Sequence, residues 1–214
     1  MFRTVFGLGL VALVAGSPAA LAQGRGGWGG GGIGMVIGNS GVHKELKLDD
    51  QQIEKAKELA STTREKSMGL REKLQDLDQD ERRAKMTELT REINTGALKT
   101  AAEFLKPEQL TRLKQIYYQR MGPRAFSDPD IAKKLAITDS QKEEIQSVMQ
   151  EFSTELADAR EKMQDDREAG MKLMAEINNK IVAQAATKLN DEQKKNWKEL
   201  MGAPYEFKMD PPSQ

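Results

Sequence analysis

Five residues near the C-terminal end, LNDEQ at Leu189–Gln193, occur three more times upstream in nearly the same form: LDDQQ at Leu48–Gln52, LKPEQ at Leu105–Gln109 and ITDSQ at Ile137–Gln141. A longer register surrounds them. Val42-x-Lys44-x-Leu46-x-Leu48 matches Ile131-x-Lys133-x-Leu135-x-Ile137, and REKLQD (Arg71–Asp76) matches REKMQD (Arg160–Asp165), both at an offset of 89 residues. Leu89-x-x-Glu92-Ile93-Asn94 then matches Leu173-x-x-Glu176-Ile177-Asn178, Ala101-Ala102 matches Ala185-Ala186, and Leu105 matches Leu189, now at an offset of 84. These matches keep one order, so the chain is an internal duplication and is expected to fold as two related units. The fall from 89 to 84 puts a five-residue deletion between Gln164 and Leu173, where a turn is expected.

Each repeated stretch reads as the start of a helix. Asp49, Thr138 and Asn190 carry side-chain oxygens that can accept a hydrogen bond from the unpaired N–H groups of a first turn. Gln52, Gln141 and Gln193 follow three residues later, where an amide can return to the N–H of the cap residue. In the fourth stretch Lys106 stands at the cap position, and Pro107 supplies the fixed φ that suits a first turn, ahead of Gln109. Counted forward from each glutamine, the fourth, seventh and eighth residues are all apolar or amphipathic and share one helical face. They are Ala56, Leu59 and Ala60; Leu113, Ile116 and Tyr117; Ile145, Val148 and Met149; and Trp197, Leu200 and Met201.

Between the starts the apolar spacing stays helical. Ile53, Ala56, Ala60, Thr63, Ser67, Leu70, Leu74 and Leu77 step by three and four, with two polar positions in the middle, and Met86, Leu89, Ile93, Ala97, Ala101 and Phe104 continue the pattern. Asp78-Gln79-Asp80-Glu81 has the form of an acidic cap. It predicts either a hairpin turn there or one long kinked helix, and the hairpin is the expectation adopted. The fold class expected is therefore all-α: an extended, curved assembly of long helical hairpins, in two tandem copies of a hairpin plus a short helix, over residues 42–125 and 126–208.

The flanks read differently. Arg3, the apolar run Thr4–Gly16 and the triplet Ala20-Leu21-Ala22 have the three parts of a secretory signal peptide, with cleavage expected after Ala22. The run is too short to span a bilayer comfortably. Without residues 1–22, 32 basic residues face 33 acidic ones, so nucleic acid and anionic membranes are not expected partners. The chain has no cysteine, hence neither a disulfide nor a lipidation site at the cleavage point. Residues 23–41 are dominated by glycine and read as a flexible leader bearing Trp28 and Met35, and residues 209–214 read as a disordered tail. The expected location is periplasmic or secreted, soluble after cleavage.

The spacing Leu-(Thr/Asp/Asn)-x-x-Gln, repeated in an exported, charged, helical chain, resembles the LTxxQ motif of the Spy/CpxP family of periplasmic stress proteins. The resemblance covers residues 42 to about 207. It implies a thin curved helical cradle that binds unfolded clients without ATP, and a dimer of chains carrying two motifs each. Here only Thr138 supplies the family's threonine, and one chain carries four motifs, so a monomeric pseudo-dimer and a homodimer are both open.

The expected function is that of an ATP-independent holdase for non-native proteins. The alternatives are a metal-binding or metal-stress sensor, or an accessory protein docking on a specific envelope protein. Eleven methionines suit adaptable binding. Tyr117, Tyr118, Met121 and Phe126, clustered near an expected helix end, are candidate client contacts, though ordinary packing between helices is the preferred reading for them. A metal site would have only His43 as a nitrogen ligand, with Met35 nearby, so no metal and no cofactor is expected. Enzymatic activity is not expected: there is no cysteine nucleophile, no phosphate-cradling glycine motif and no Glu-x-x-His pair. Glu92 and Glu176 read as solvent-facing residues near Arg91 and Lys172.

Overall fold

A computed structural model describes residues 32–208 and Asp210, and the protein is all-α. The signal-peptide and Trp28 expectations lie outside the described residues. In chain order the helices are α1 (Ile33–Ile37), α2 (Ser40–Glu45), α3 (Asp50–Met68), α4 (Leu70–Leu74), α5 (Gln79–Ala102) and α6 (Pro107–Met121). A 3-10 turn (Gly122–Ser127) leads into α7 (Pro129–Lys134), α8 (Asp139–Glu151), α9 (Ser153–Asp165), α10 (Arg167–Thr187) and α11 (Asp191–Met201). Among the described residues no helix is long and apolar enough to cross a membrane.

The caps form where the side chains predict them. Asp49, Thr138 and Asn190 each accept from the backbone N–H three residues on, and the four glutamines each accept from the N–H of the residue at the cap position, Lys106 included. Asp78 accepts from the N–H groups of Asp80 and Glu81 and starts α5 as a helix separate from α4. Arg82 holds the turn before it by donating to the carbonyls of Leu74, Gln75 and Leu77. In the second half the corresponding turn is the single residue Asp166, whose side chain accepts from Ala169 N–H. This turn is shorter than the one between α4 and α5, at the place where the five-residue deletion is expected.

The glycine-rich stretch departs from its expectation as a flexible leader. From Ile33 onward it is helix α1, which lies against α3, α5 and α6 with Ile33, Val36 and Ile37 fully buried. Gly34 and Gly38 permit this approach: a Cβ on either would stand 2.6 Å from Thr63 Cβ or 2.7 Å from Ala60 Cβ. This explains the polar middle of the first apolar stripe, because Thr63 faces the α1 backbone and turns its hydroxyl back to Leu59 carbonyl at 2.6 Å. The 3-10 turn, 89 residues further on, lies against α8 and α10 and buries Ala125 and Phe126.

One hydrophobic cluster runs through both halves, from Ile33 to Trp197, and includes Leu113, Ile116, Ile131, Leu135, Ile177 and Ile181. A smaller one, Leu70, Leu74 and Leu89 with Leu77 and Ile93, steadies the turn between α4 and α5. The halves meet where α6 packs on α11, with Gln115 donating to Glu199 carbonyl. Beyond Gly202 the chain returns along the first half. Gln119 donates to the carbonyls of Met201 and Ala203 and accepts from Tyr205 N–H, and Arg112 reaches Ala203 carbonyl and Glu45. Asn39 donates to Lys208 carbonyl, and Ser40 donates to the Asp210 carboxylate. Of the expected tail, residues 209–214, Asp210 alone is described and is held by this contact; the others lie outside the described residues.

Candidate functional site

The repeated glutamines meet in pairs. Gln52 and Gln109 exchange side-chain amide hydrogen bonds of 2.9 and 3.2 Å, and Gln141 and Gln193 do the same at 2.7 and 2.9 Å. Each oxygen also accepts from a cap N–H, and each nitrogen also donates to a backbone carbonyl: Phe104 for Gln52, Leu46 for Gln109, Lys188 for Gln141 and Ala136 for Gln193. Gln52, Gln109 and Gln193 are buried, and the network is fully satisfied. The leucine-like residue of two motifs has a further task. Leu48 and Ile137 close αL caps on α2 and α7, donating to His43 and Ala132 carbonyls after Lys47 (φ 51°) and Ala136 (φ 49°). The motif glutamines thereby bind the two ends of each half together, while Asp49, Pro107, Thr138 and Asn190 are exposed.

The four candidate client contacts do not form an exposed cluster. Tyr117, Tyr118 and Phe126 are buried and Met121 is half-buried, because the end of α6 sits where α10, α11 and the returning chain converge. Phe126 stacks on Trp197 at 4.1 Å, and Tyr117 hydroxyl accepts from Asn94 at 3.1 Å. Burial pushes the Tyr117 phenol up to about 12, with Asp128 and Tyr118 adding to the rise. His43 is also buried, with Nε2 2.7 Å from Ile37 carbonyl. Glu92 and Glu176 are exposed, and Arg91 pairs with Asp130.

Two concave surfaces stand out among the described residues. One, of about 490 Å³, lies between α6, α10, α11 and the returning chain, lined among others by Tyr118, Arg120, Trp197 and Phe207. Arg120 lies 4.0 Å over the Phe207 ring and 3.7 Å from Met35 Sδ; its Nε is buried with no hydrogen-bond partner among the described residues, and burial lowers its pKa. The other, of about 500 Å³, is a groove between α3 and α5. Leu59, Ile93, Ala97 and Phe104 supply apolar surface there, Thr62, Thr63 and Thr100 hydroxyls, and Lys55, Glu58, Lys66 and Glu103 charge.

The same face of the second half is closed. Three side-chain pairs cross from α8 and α9 to α10: Lys188 to Glu144 at 3.6 Å, Gln184 to Glu151 at 3.0 Å and Lys180 to Glu155 at 3.8 Å. The order of these pairs shows the helices to be antiparallel. Through the offsets of 89 and 84, their six counterparts are Lys55 and Phe104, Thr62 and Thr100, and Lys66 and Gly96. All six line the open groove, and no ion pair or hydrogen bond joins them across it. No Cβ neighbour lies within 4 Å of Gly96. Motif reading missed these residues because none belongs to a motif. Laying the duplicated halves side by side and asking where a pairing residue is replaced would have found them.

Comparisons with known proteins found no matching protein family, no matching curated protein and no matching solved structure.

Proposed function

We propose that the protein is an exported, non-enzymatic binding protein that holds non-native polypeptide segments without nucleotide, in the manner implied by its resemblance to the Spy/CpxP family. The observation that carries this reading is the open α3/α5 groove, whose apolar floor is rimmed by both signs of charge. Such a lining favours weak, adaptable contacts: apolar area supplies attraction, while exposed charges add little affinity each and screen readily. On this reading the two halves are tandem copies within one curved frame. The first copy binds, and the second, its face closed by side-chain pairs, is structural.

The test is the aggregation of a chemically unfolded model protein, followed by light scattering, with residues 23–214 added without ATP. Suppression near equimolar ratio is the expected result. A second protein, Gly96→Trp, fills the groove from an exposed helix position and is expected to lose most of the suppression while keeping its helical circular dichroism. Equal performance of the two proteins would move client binding away from the groove, and no suppression by either would overturn the reading.

A further inference from the structure

The closed half is a template for what the open half lacks. Glu144 and Glu155 stand eleven residues apart and are met from α10 by Lys188 and Lys180. In the groove those carboxylates are replaced by Lys55 and Lys66, also eleven residues apart on one face of α3, about 16 Å along the helix axis. The side that should answer them has Phe104 and Gly96, neither of which carries a charge. Both lysines are exposed, and neither has an ion-pair partner among the described residues. At these positions the exchange is therefore a reversal of sign on one wall and a loss of charge on the other. Loss of one latch alone would leave the α3 wall acidic.

We propose that the groove takes an amphipathic helical segment of another protein carrying two carboxylates two to three turns apart, which pair with Lys55 and Lys66 over a stretch of small and apolar side chains. This rests on the reading of the groove as a binding surface and names its preferred partner. The apolar stretch of the incoming helix lies on Leu59, Ile93 and Ala97, and the bare backbone at Gly96 allows close approach. Glu58, one turn from Lys55, and Glu103 on the opposite wall disfavour a continuous acidic run, so the pattern selects two spaced carboxylates.

Fluorescence anisotropy tests this with labelled, alanine-rich helical peptides of about 20 residues. One has two glutamates eleven positions apart with leucines between them, and the other has lysines in place of the glutamates. Residues 23–214 are expected to bind the glutamate peptide at least tenfold more tightly, and Lys55→Glu/Lys66→Glu should reverse the preference. A second variant, Thr62→Glu/Lys66→Glu/Gly96→Lys/Thr100→Gln, rebuilds two latches at exposed positions and should bind neither peptide while keeping or raising its thermal midpoint. Equal binding of both peptides, binding of neither, or an unchanged preference in the reversed variant would overturn the proposal. So would a dimer that only the latch variant dissociates, since that assigns the groove to a second copy. Aggregation assays separate the two levels: suppression without peptide preference leaves the holdase reading standing and removes this one, and the converse result does the opposite.

Discussion

At the scale of single residues the glutamines explain why the motif recurs. Each amide completes its own helix start and, by pairing with its counterpart, joins the starts of α3 and α6, or of α8 and α11. Gln109→Leu leaves Gln52, the Lys106 N–H and the Leu46 carbonyl short of a partner in a buried setting. It is expected to cost about 2–3 kcal/mol in urea denaturation. Gln141→Leu, at a partly exposed position, should cost about 1 kcal/mol, and Gln52→Leu/Gln109→Leu should cost less than the sum of its single changes. Tyr117 makes a second prediction. Its folded pKa is raised to about 12 by burial, so above the ordinary phenol value of 10 the unfolded chain ionises first and stability falls as pH rises. Between pH 10 and 12 the unfolding free energy of the wild-type chain, from urea denaturation, should fall faster than that of Tyr117→Phe, by roughly 1–2 kcal/mol after allowance for solvent screening. Below pH 10 the two curves should run parallel.

At the scale of helices, close approach and open space decide what each glycine does. Gly170 lies against α9, where a Cβ would stand 2.5 Å from Met163 N and 2.6 Å from its Cα, both backbone atoms that cannot swing away. Gly170→Ala should therefore destabilise by about 1–3 kcal/mol despite alanine's better helix propensity. Gly96→Ala, facing the groove with nothing near it, should stabilise by roughly 0.5–1 kcal/mol. Thermal unfolding followed by circular dichroism measures both, and the opposite signs are the point of the comparison. The same contrast explains what was legible in the sequence. Helix starts at Asp50, Pro107, Asp139 and Asp191 could be read because a cap is local chemistry, complete within five residues. The helix at Ile33–Ile37 could not, because glycine's entropic cost is visible in composition, whereas the benefit of Gly34 on Thr63 depends on a residue 29 positions away. For Tyr117, Tyr118 and Phe126 interhelix packing is the preferred reading over client contact, and they are buried; what the sequence could not supply is their neighbours, such as Asn94 for Tyr117 and Trp197 for Phe126, which are distant in sequence. Groove residues were hidden because openness is a relation between two helices, and only the duplicated copy supplies the comparison.

At the scale of the molecule, the chain end secures a face that the first half cannot close alone. Asn39 caps α2 with its side-chain oxygen and spends its amide on Lys208 carbonyl, while Ser40 at the first turn donates to Asp210. Phe207 lies over Arg120, and Tyr205 is fixed by Gln119. The Asn39 and Ser40 contacts join residues 208 and 210 to the start of the first half, across more than 160 positions of sequence, and the Arg120 and Gln119 contacts join residues 205 and 207 to the end of α6. They form late in any folding order that begins with local helices, because loop closure over such a distance precedes any gain from the contact. Truncation after Ala203 removes them and leaves the glutamine pairs and α6 against α11 in place. The expected result is a loss of about 1–3 kcal/mol together with faster amide exchange confined to α1, α2 and the end of α6, while α8 to α10 keep their protection. Because α1 forms one wall behind α3 and α5, its loosening should also weaken peptide binding in the groove on the opposite side of that helix pair. Uniform acceleration of exchange across both halves would mean that the returning chain supports the whole fold. Unchanged exchange in α1 and α2 would mean that Ile33, Val36 and Ile37 hold those helices by burial alone.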